Sequence, residues 1–335
     1  MLALVALEKR WAKNFWRNIK MKPTPFTKFL DRSDYILGEG AVIERLRRNT
    51  DLELDPDIVN SAFIYDDVKR AALETIYRQY LDIGSQYDLP LFLSTPTWRA
   101  SRERIASAGF AKRDVNGDNF RFFDALRNRY GKYACKVVIC GLMSCRGDAY
   151  NPAETLSASE AHEFHAWQAA KLAEAGVDLL LAATLPALSE ATGLASALAA
   201  TGQAYIVSFI ARPEGTLLDG TPLKEAIVSI DAAVSPEPLA YMINCTHASI
   251  FRDALLHPIN SSSYVRKRIV GLLANTAALT PEELDNSDDL VAEAPETFGQ
   301  SVAALKEEFG MKILGGCCGT DGRHIRALAK RLASA

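Results

Sequence analysis

Two short segments hold the residue types best suited to chemistry. Residues 243–247 read INCTH and place Cys245 beside Asn244; residues 315–319 read GGCCG and set Cys317 next to Cys318. A cysteine thiolate is a soft donor that suits zinc. Three of them leave a tetrahedral ion with one open position, the pattern of a catalytic site rather than a closed structural one. Adjacent cysteines alone do not require a metal, since buried or redox-active thiols have the same residue types. The choice turns on whether the intervening chain brings the two segments to one place.

The remaining sequence supplies a frame that can do this. Eight apolar runs, DYILGEG, LPLFLS, KVVICGLM, VDLLLAAT, AYIVSFI, AYMIN, RIVGLLAN and MKILGG, alternate with helical patterns. The runs are apolar throughout, as parallel strands covered by helices should be. DDVKRAALETIYRQYLDIGSQY has helical spacing. SASEAHEFHAWQAAKLAEAGV reads as a helix with Ser157 as N-cap, Glu160 three residues on and Gly176 as its stop. Pro186 is placed to open the helix of PALSEATGLASALAATG, and DGRHIRALAKRLAS closes the chain as a helix. The section around DVNGDN reads as loop. The prediction is an α/β fold, one (β/α)8 TIM barrel spanning 31–335 with loop insertions and an N-terminal extension over 1–30. A doubly wound open sheet is the weaker alternative, because no Gly-rich phosphate fingerprint follows the first strand. In such barrels chemistry sits where strands end. Cys245 follows the sixth strand and Cys317 and Cys318 follow the eighth, so all three face one rim, with Gly315, Gly316 and Gly319 clearing space around the sulfurs. That placement favours the zinc reading.

Composition limits the partners. The 335 residues are 48% hydrophobic and 24% charged, with a net charge of -3. This gives an ordinary core and no electrostatic reason to bind nucleic acid or a membrane. No apolar run approaches the length of a spanning helix. The opening apolar run is too short, and on the wrong side of its charges, for a secretory signal. A cytoplasmic location without a disulfide framework is the expectation. Cys135, Cys140 and Cys145 read as small buried hydrophobes, with Cys145 the one that also ends a strand. His247 reads as a loop-packing residue near the site. His162 and His165 lie on a helix away from the rim, His324 opens the last helix, and Asp219 reads as a turn residue. Oligomer formation is compatible with this composition but not specified by it.

Taken together, LGEGAVIERL, STPTWRAS, AGVDLLLAATLPALSEA, LLDGTPLKEAI, INCTH and GGCCGTDGRHIRALA resemble the homocysteine S-methyltransferase family of zinc-dependent barrels, from about residue 35 to the C-terminus. The resemblance implies Zn2+ held by Cys245, Cys317 and Cys318, with a small thiol, homocysteine or a relative, in the fourth position. It implies a methyl donor of the sulfonium or quaternary ammonium kind, such as S-methylmethionine or a betaine. Glu39, in GEG, corresponds to an acidic residue that grips the amino group of the thiol. Trp98 is a candidate cation–π face for the donor. Thr184 belongs to an E-T-x-P type motif, and Asn244 precedes the first ligand. In this chain Ala183 stands where that motif has its glutamate. A carboxylate on a substrate ammonium is worth roughly 1.5–3 kcal/mol, so the substitution implies a different or broader acceptor thiol. The rival readings are a corrinoid-protein-linked methyltransferase component, a zinc hydrolase with water in the open position, and a non-catalytic zinc barrel.

Overall fold

The structure, a computed structural model, describes residues 25–49, 51–279, 283 and 292–334. Its strands are β1 (Ile36–Gly38), β2 (Leu91–Ser94), β3 (Val137–Met143), β4 (Leu179–Leu185), β5 (Tyr205–Phe209), β6 (Ala240–His247), β7 (Ile269–Asn275) and β8 (Ile313–Gly316). They pair in parallel, in chain order, and close where Leu37 of β1 meets Leu314 of β8. This is the (β/α)8 barrel expected from the sequence.

The strands divide their side chains with a period of two. Ile36, Phe92, Val138, Cys140, Leu179, Leu181, Ile206, Met242 and Ile313 fill the barrel interior as one buried cluster. Leu37, Leu91, Leu93, Val137, Ile139, Leu180, Val207, Ile243 and Leu314 face outward into a larger cluster under the helices. Both faces are buried, which is why the sequence shows continuous apolar runs rather than alternation.

The helices are α1 (Pro25–Arg32), α2 (Ile43–Arg47), α3 (Asp67–Gln86), α4 (Arg102–Ser107), α5 (Val115–Asn128), α6 (Ala158–Ala175), α7 (Leu188–Ala200), α8 (Leu223–Ala233), α9 (Ala248–Leu256), α10 (Ser263–Arg268), α11 (Pro295–Phe309) and α12 (Gly322–Ala333). Helix α6 has the capping box of Ser157 and Glu160 and the left-handed Gly176 that its sequence anticipates. Helix α1 falls partly within the segment read as an extension, and it packs: Phe26 and Leu30 join the barrel interior, and Lys312 Nζ donates to the Leu30 carbonyl at 2.9 Å. Residues 1–24, the rest of that segment, lie outside the described residues. Among the described residues no helix is long and apolar enough to cross a membrane.

Three local expectations need correction. DVNGDN is not a loop but the start of α5. Asp114 caps it by accepting from the Gly117 N–H, and Asn119 is buried with its amide donating to the carbonyls of Ser61 and Val115. Turn-forming residues here serve as a cap and as buried cross-links. Pro186 does not open α7; the helix begins two residues later, at Leu188, whose N–H donates to Asp219 Oδ2 at 2.8 Å. Cys135 is exposed, on a short 3-10 helix (Gly131–Lys136) that precedes β3, whereas Cys140 and Cys145 are buried as anticipated.

Candidate metal centre and its cavity

Cys245 does not follow β6 but lies inside it. The pairing with β7 slips between Asn244 and Thr246, and Cys245 takes φ 50° at that bulge. A matching slip between Ala182 and Leu185 of β4 puts Thr184 at φ 61°. Left-handed dihedrals cost a non-glycine residue roughly 1–3 kcal/mol and are most adverse for a β-branched one. Asn244 ties the two irregular strands together. Its Oδ1 accepts from the Thr184 N–H (2.9 Å) and the Ser208 hydroxyl (2.6 Å), and its Nδ2 donates to Thr184 Oγ1 (2.7 Å). The bulge turns Cys245 out of the strand's alternation and toward the rim.

The second segment is held as firmly. Cys317 N–H donates to the Ala274 carbonyl (2.7 Å), Cys318 N–H to Asn275 Oδ1 (3.1 Å), and the Thr320 hydroxyl to the Cys317 carbonyl (2.6 Å). The Gly319 N–H donates to Glu44 Oε2. Gly315 is required by close packing, because a Cβ there would lie 2.6 Å from Gly38 Cα across the β1–β8 seam. Gly319 has φ 80°, which favours glycine.

The sulfurs of Cys245, Cys317 and Cys318 lie within 4.8 Å of one another, with Cys245 and Cys317 Sγ atoms 2.6 Å apart. Hydrogen bonds from Cys317 and Cys318, joined by the Tyr150 hydroxyl, pull the Cys245 thiol well below its ordinary pKa. The same hydrogen bonds and the Cys245 charge push Cys317 and Cys318 up. One thiolate shared among three sulfurs is the state that a metal would exploit by displacing the remaining protons. Tetrahedral thiolate coordination places sulfurs about 3.8 Å apart. The trio fits that spacing once the Cys245–Cys317 pair opens by about 1 Å.

The cysteine trio borders one cavity of about 660 Å³ at the C-terminal mouth of the barrel. Glu39, Trp98, Ala183, Thr184 and Asn244 line it with the three cysteines. The Glu39 carboxylate oxygen Oε2 accepts from the Ser94 N–H at 3.1 Å, and burial pushes its pKa up to about 8. Trp98 is half-buried, and the Arg99 guanidinium sits 4.5 Å from its ring centre. Tyr150, Arg47 and Asn60 also line the cavity. Sequence reasoning missed these three because Tyr150 and Asn60 sit on loops and Arg47 on the last turn of α2, none of them within a motif.

The other singled-out residues are structural. His247 accepts from the Ser249 N–H to cap α9 and lies 3.4 Å from Glu293. His165 and Glu190 form a buried pair at 3.0 Å, His162 bonds Ser196 (3.1 Å), and His324 forms a capping box with Asp321.

The sequence profile of the homocysteine S-methyltransferase family matches residues 36–332. The chain belongs to the homocysteine S-methyltransferase family. Its members are methyltransferases, and two of them show how far the likeness extends. The chain is 31% identical over 193 residues to homocysteine S-methyltransferase of Escherichia coli, a match that spans 56% of each chain. It is 22% identical over 321 residues to homocysteine S-methyltransferase YbgG of Bacillus subtilis, covering 91% of this chain and 96% of that protein. The crystal structure of the E. coli homocysteine methyltransferase MmuM in its metallated form superposes with a TM-score of 0.72 at 22% identity, over 92% of this chain and 100% of that one. In this homocysteine S-methyltransferase family member, the β4 position corresponding to the expected acid is Ala183, 5% exposed, its methyl group on the cavity wall.

Proposed function

We propose that the protein is a zinc-dependent S-methyltransferase that moves a methyl group from a sulfonium or quaternary ammonium donor to a small thiol, homocysteine or a relative. The observation that carries this reading is the convergence of three thiols, from β6 and the loop after β8, at the mouth of one cavity. Cys245, Cys317 and Cys318 would hold the ion, and an all-sulfur donor set suits zinc better than harder divalent cations. When bound, zinc supplies the Lewis acidity that lowers an incoming thiol from its ordinary pKa near ~8.5.

The chain's own residues orient and shield. Asn244 fixes Thr184 and the β6 bulge, and so aims Cys245. Asn275 holds the backbone of Cys318. Leu142, Leu181 and Leu273 make part of the cavity apolar, which keeps water from competing for the methyl group. Trp98 adds an aromatic wall, with the Arg99 guanidinium over its ring. Among the described cavity-lining residues no imidazole is placed to activate a water molecule, which disfavours the hydrolase reading.

The test has two parts. Elemental analysis of the purified protein should give one zinc per chain. Incubation with S-methylmethionine or a betaine and a panel of thiols should give a methylated thiol by mass spectrometry. Cys245→Ser and Cys318→Ser should lose both metal and activity. A fully metallated protein that methylates no thiol from any such donor would sink the reading.

A further inference from the structure

Three of the cavity's polar groups, none of which holds the sulfurs, bear on what it can bind. Arg47, at the end of α2, lines it and makes no hydrogen bond or ion pair among the described residues. Its neighbours are already satisfied: Arg48 pairs with Glu44 at 2.9 Å, and the second Glu44 oxygen takes the Gly319 N–H. Asn60 is 1% exposed, lines the same cavity, and its Nδ2 has no hydrogen-bond partner. It follows Val59, held at φ 56°. A buried amide donor left without an acceptor is costly, so an idle one on a cavity wall marks the place of a ligand acceptor. The third group is Glu39, which burial keeps protonated at neutral pH.

Outside the sulfur trio the charge inventory is therefore lopsided. Among the described residues the cavity offers one unpaired cation and one idle donor. Against these it has a neutral Glu39, an occupied Glu44, and the methyl group of Ala183. Among the described lining residues no free carboxylate waits for an ammonium group.

We propose that the cavity selects an acceptor thiol bearing a carboxylate and no ammonium group, a mercaptocarboxylate, with the carboxylate taken by Arg47 and Asn60. This deepens the methyl-transfer reading and rests on it, since both place the substrate sulfur at the cysteine trio. A guanidinium and an amide N–H are matched to a carboxylate through charge-assisted hydrogen bonds. An α-ammonium at the Arg47 end would meet no carboxylate partner among the described lining residues and would lie beside a cation.

The test reads binding and needs no turnover. The cobalt(II)-substituted protein is titrated with 4-mercaptobutanoate, homocysteine and 3-mercaptopropylamine, three thiols that differ only in which charged groups they carry. Binding is followed by the thiolate-to-cobalt charge-transfer band. Homocysteine should bind no more tightly than 4-mercaptobutanoate, and 3-mercaptopropylamine at least about tenfold more weakly, as expected for loss of a charged hydrogen bond. Arg47→Gln should erase that tenfold advantage and leave 3-mercaptopropylamine unchanged, and Asn60→Leu should act in the same direction. Arg47 is exposed, so its variant should fold, as circular dichroism would verify. Tighter binding of homocysteine, or an Arg47→Gln variant that weakens all three thiols alike or none of them, overturns the proposal. If none of the thiols perturbs the cobalt spectrum, the metal–thiol reading of the site fails and takes this one with it.

Discussion

Glu39→Gln isolates the energetic consequence of a carboxyl group buried at the end of β1. Glu39 is 8% exposed and its pKa is pushed from 4.5 to about 8, chiefly by burial. Between these two pH values the folded protein holds a proton that the unfolded chain has released. Stability must then fall as pH rises: the contribution is full below pH 4.5 and is lost as pH climbs through about 8. At about 1.4 kcal/mol per pH unit, the whole interval is worth up to ~5 kcal/mol. Glutamine keeps the size of the side chain and an acceptor for the Ser94 N–H but cannot ionise. Urea unfolding of both proteins is compared from pH 6 to pH 9, at one ionic strength and with reductant and chelator present. The metal-site cysteines are common to both proteins, and burial together with the Glu39 charge raises the Cys140 thiol, which keeps that group protonated over the range. Relative to the variant, wild type should lose about 2–3 kcal/mol across that range. A difference constant to within about 0.5 kcal/mol would show that Glu39 is ionised throughout and that the cavity hydrates it. The neutral charge assigned to that wall would then be wrong.

Other consequences follow from the same contacts. Asn244→Ala removes three hydrogen bonds that hold the β4 and β6 bulges; it should cost about 2–4 kcal/mol in denaturant unfolding and weaken metal binding by ten- to a hundredfold in chelator competition. Tyr150→Phe deletes a hydroxyl that helps to lower the Cys245 pKa; in metal-free protein the pH midpoint of Cys245 alkylation should rise, and an unchanged midpoint would remove Tyr150 from the site. Metal removal should abolish the thiol-dependent spectral change and leave the far-ultraviolet circular dichroism intact, because β6, β7 and β8 are joined by their own backbone ladders. Gly315→Ala places a methyl group 2.6 Å from Gly38 Cα; a loss of about 1–3 kcal/mol by thermal unfolding is expected from overpacking at the barrel seam.

The sequence alone determined the architecture and the residues of the sulfur trio. Eight apolar runs of strand length, separated by helices, permit few arrangements, and strands buried on both faces announce themselves as unbroken hydrophobic stretches. The capping of α6 was equally legible, because its signals lie within a few residues of one another. Only the tertiary structure decided how the cysteines are aimed. Cys245 reaches the rim through a left-handed bulge inside β6, and that bulge is held by Asn244 reaching 60 residues back to Thr184. A dihedral maintained by so distant a partner leaves no local mark in the chain. The same holds for the protonation of Glu39 and for the placing of Arg47, Asn60 and Tyr150 around one cavity. Local sequence encodes periodicity and caps; burial, strain and the meeting of loops arise only once the barrel has closed.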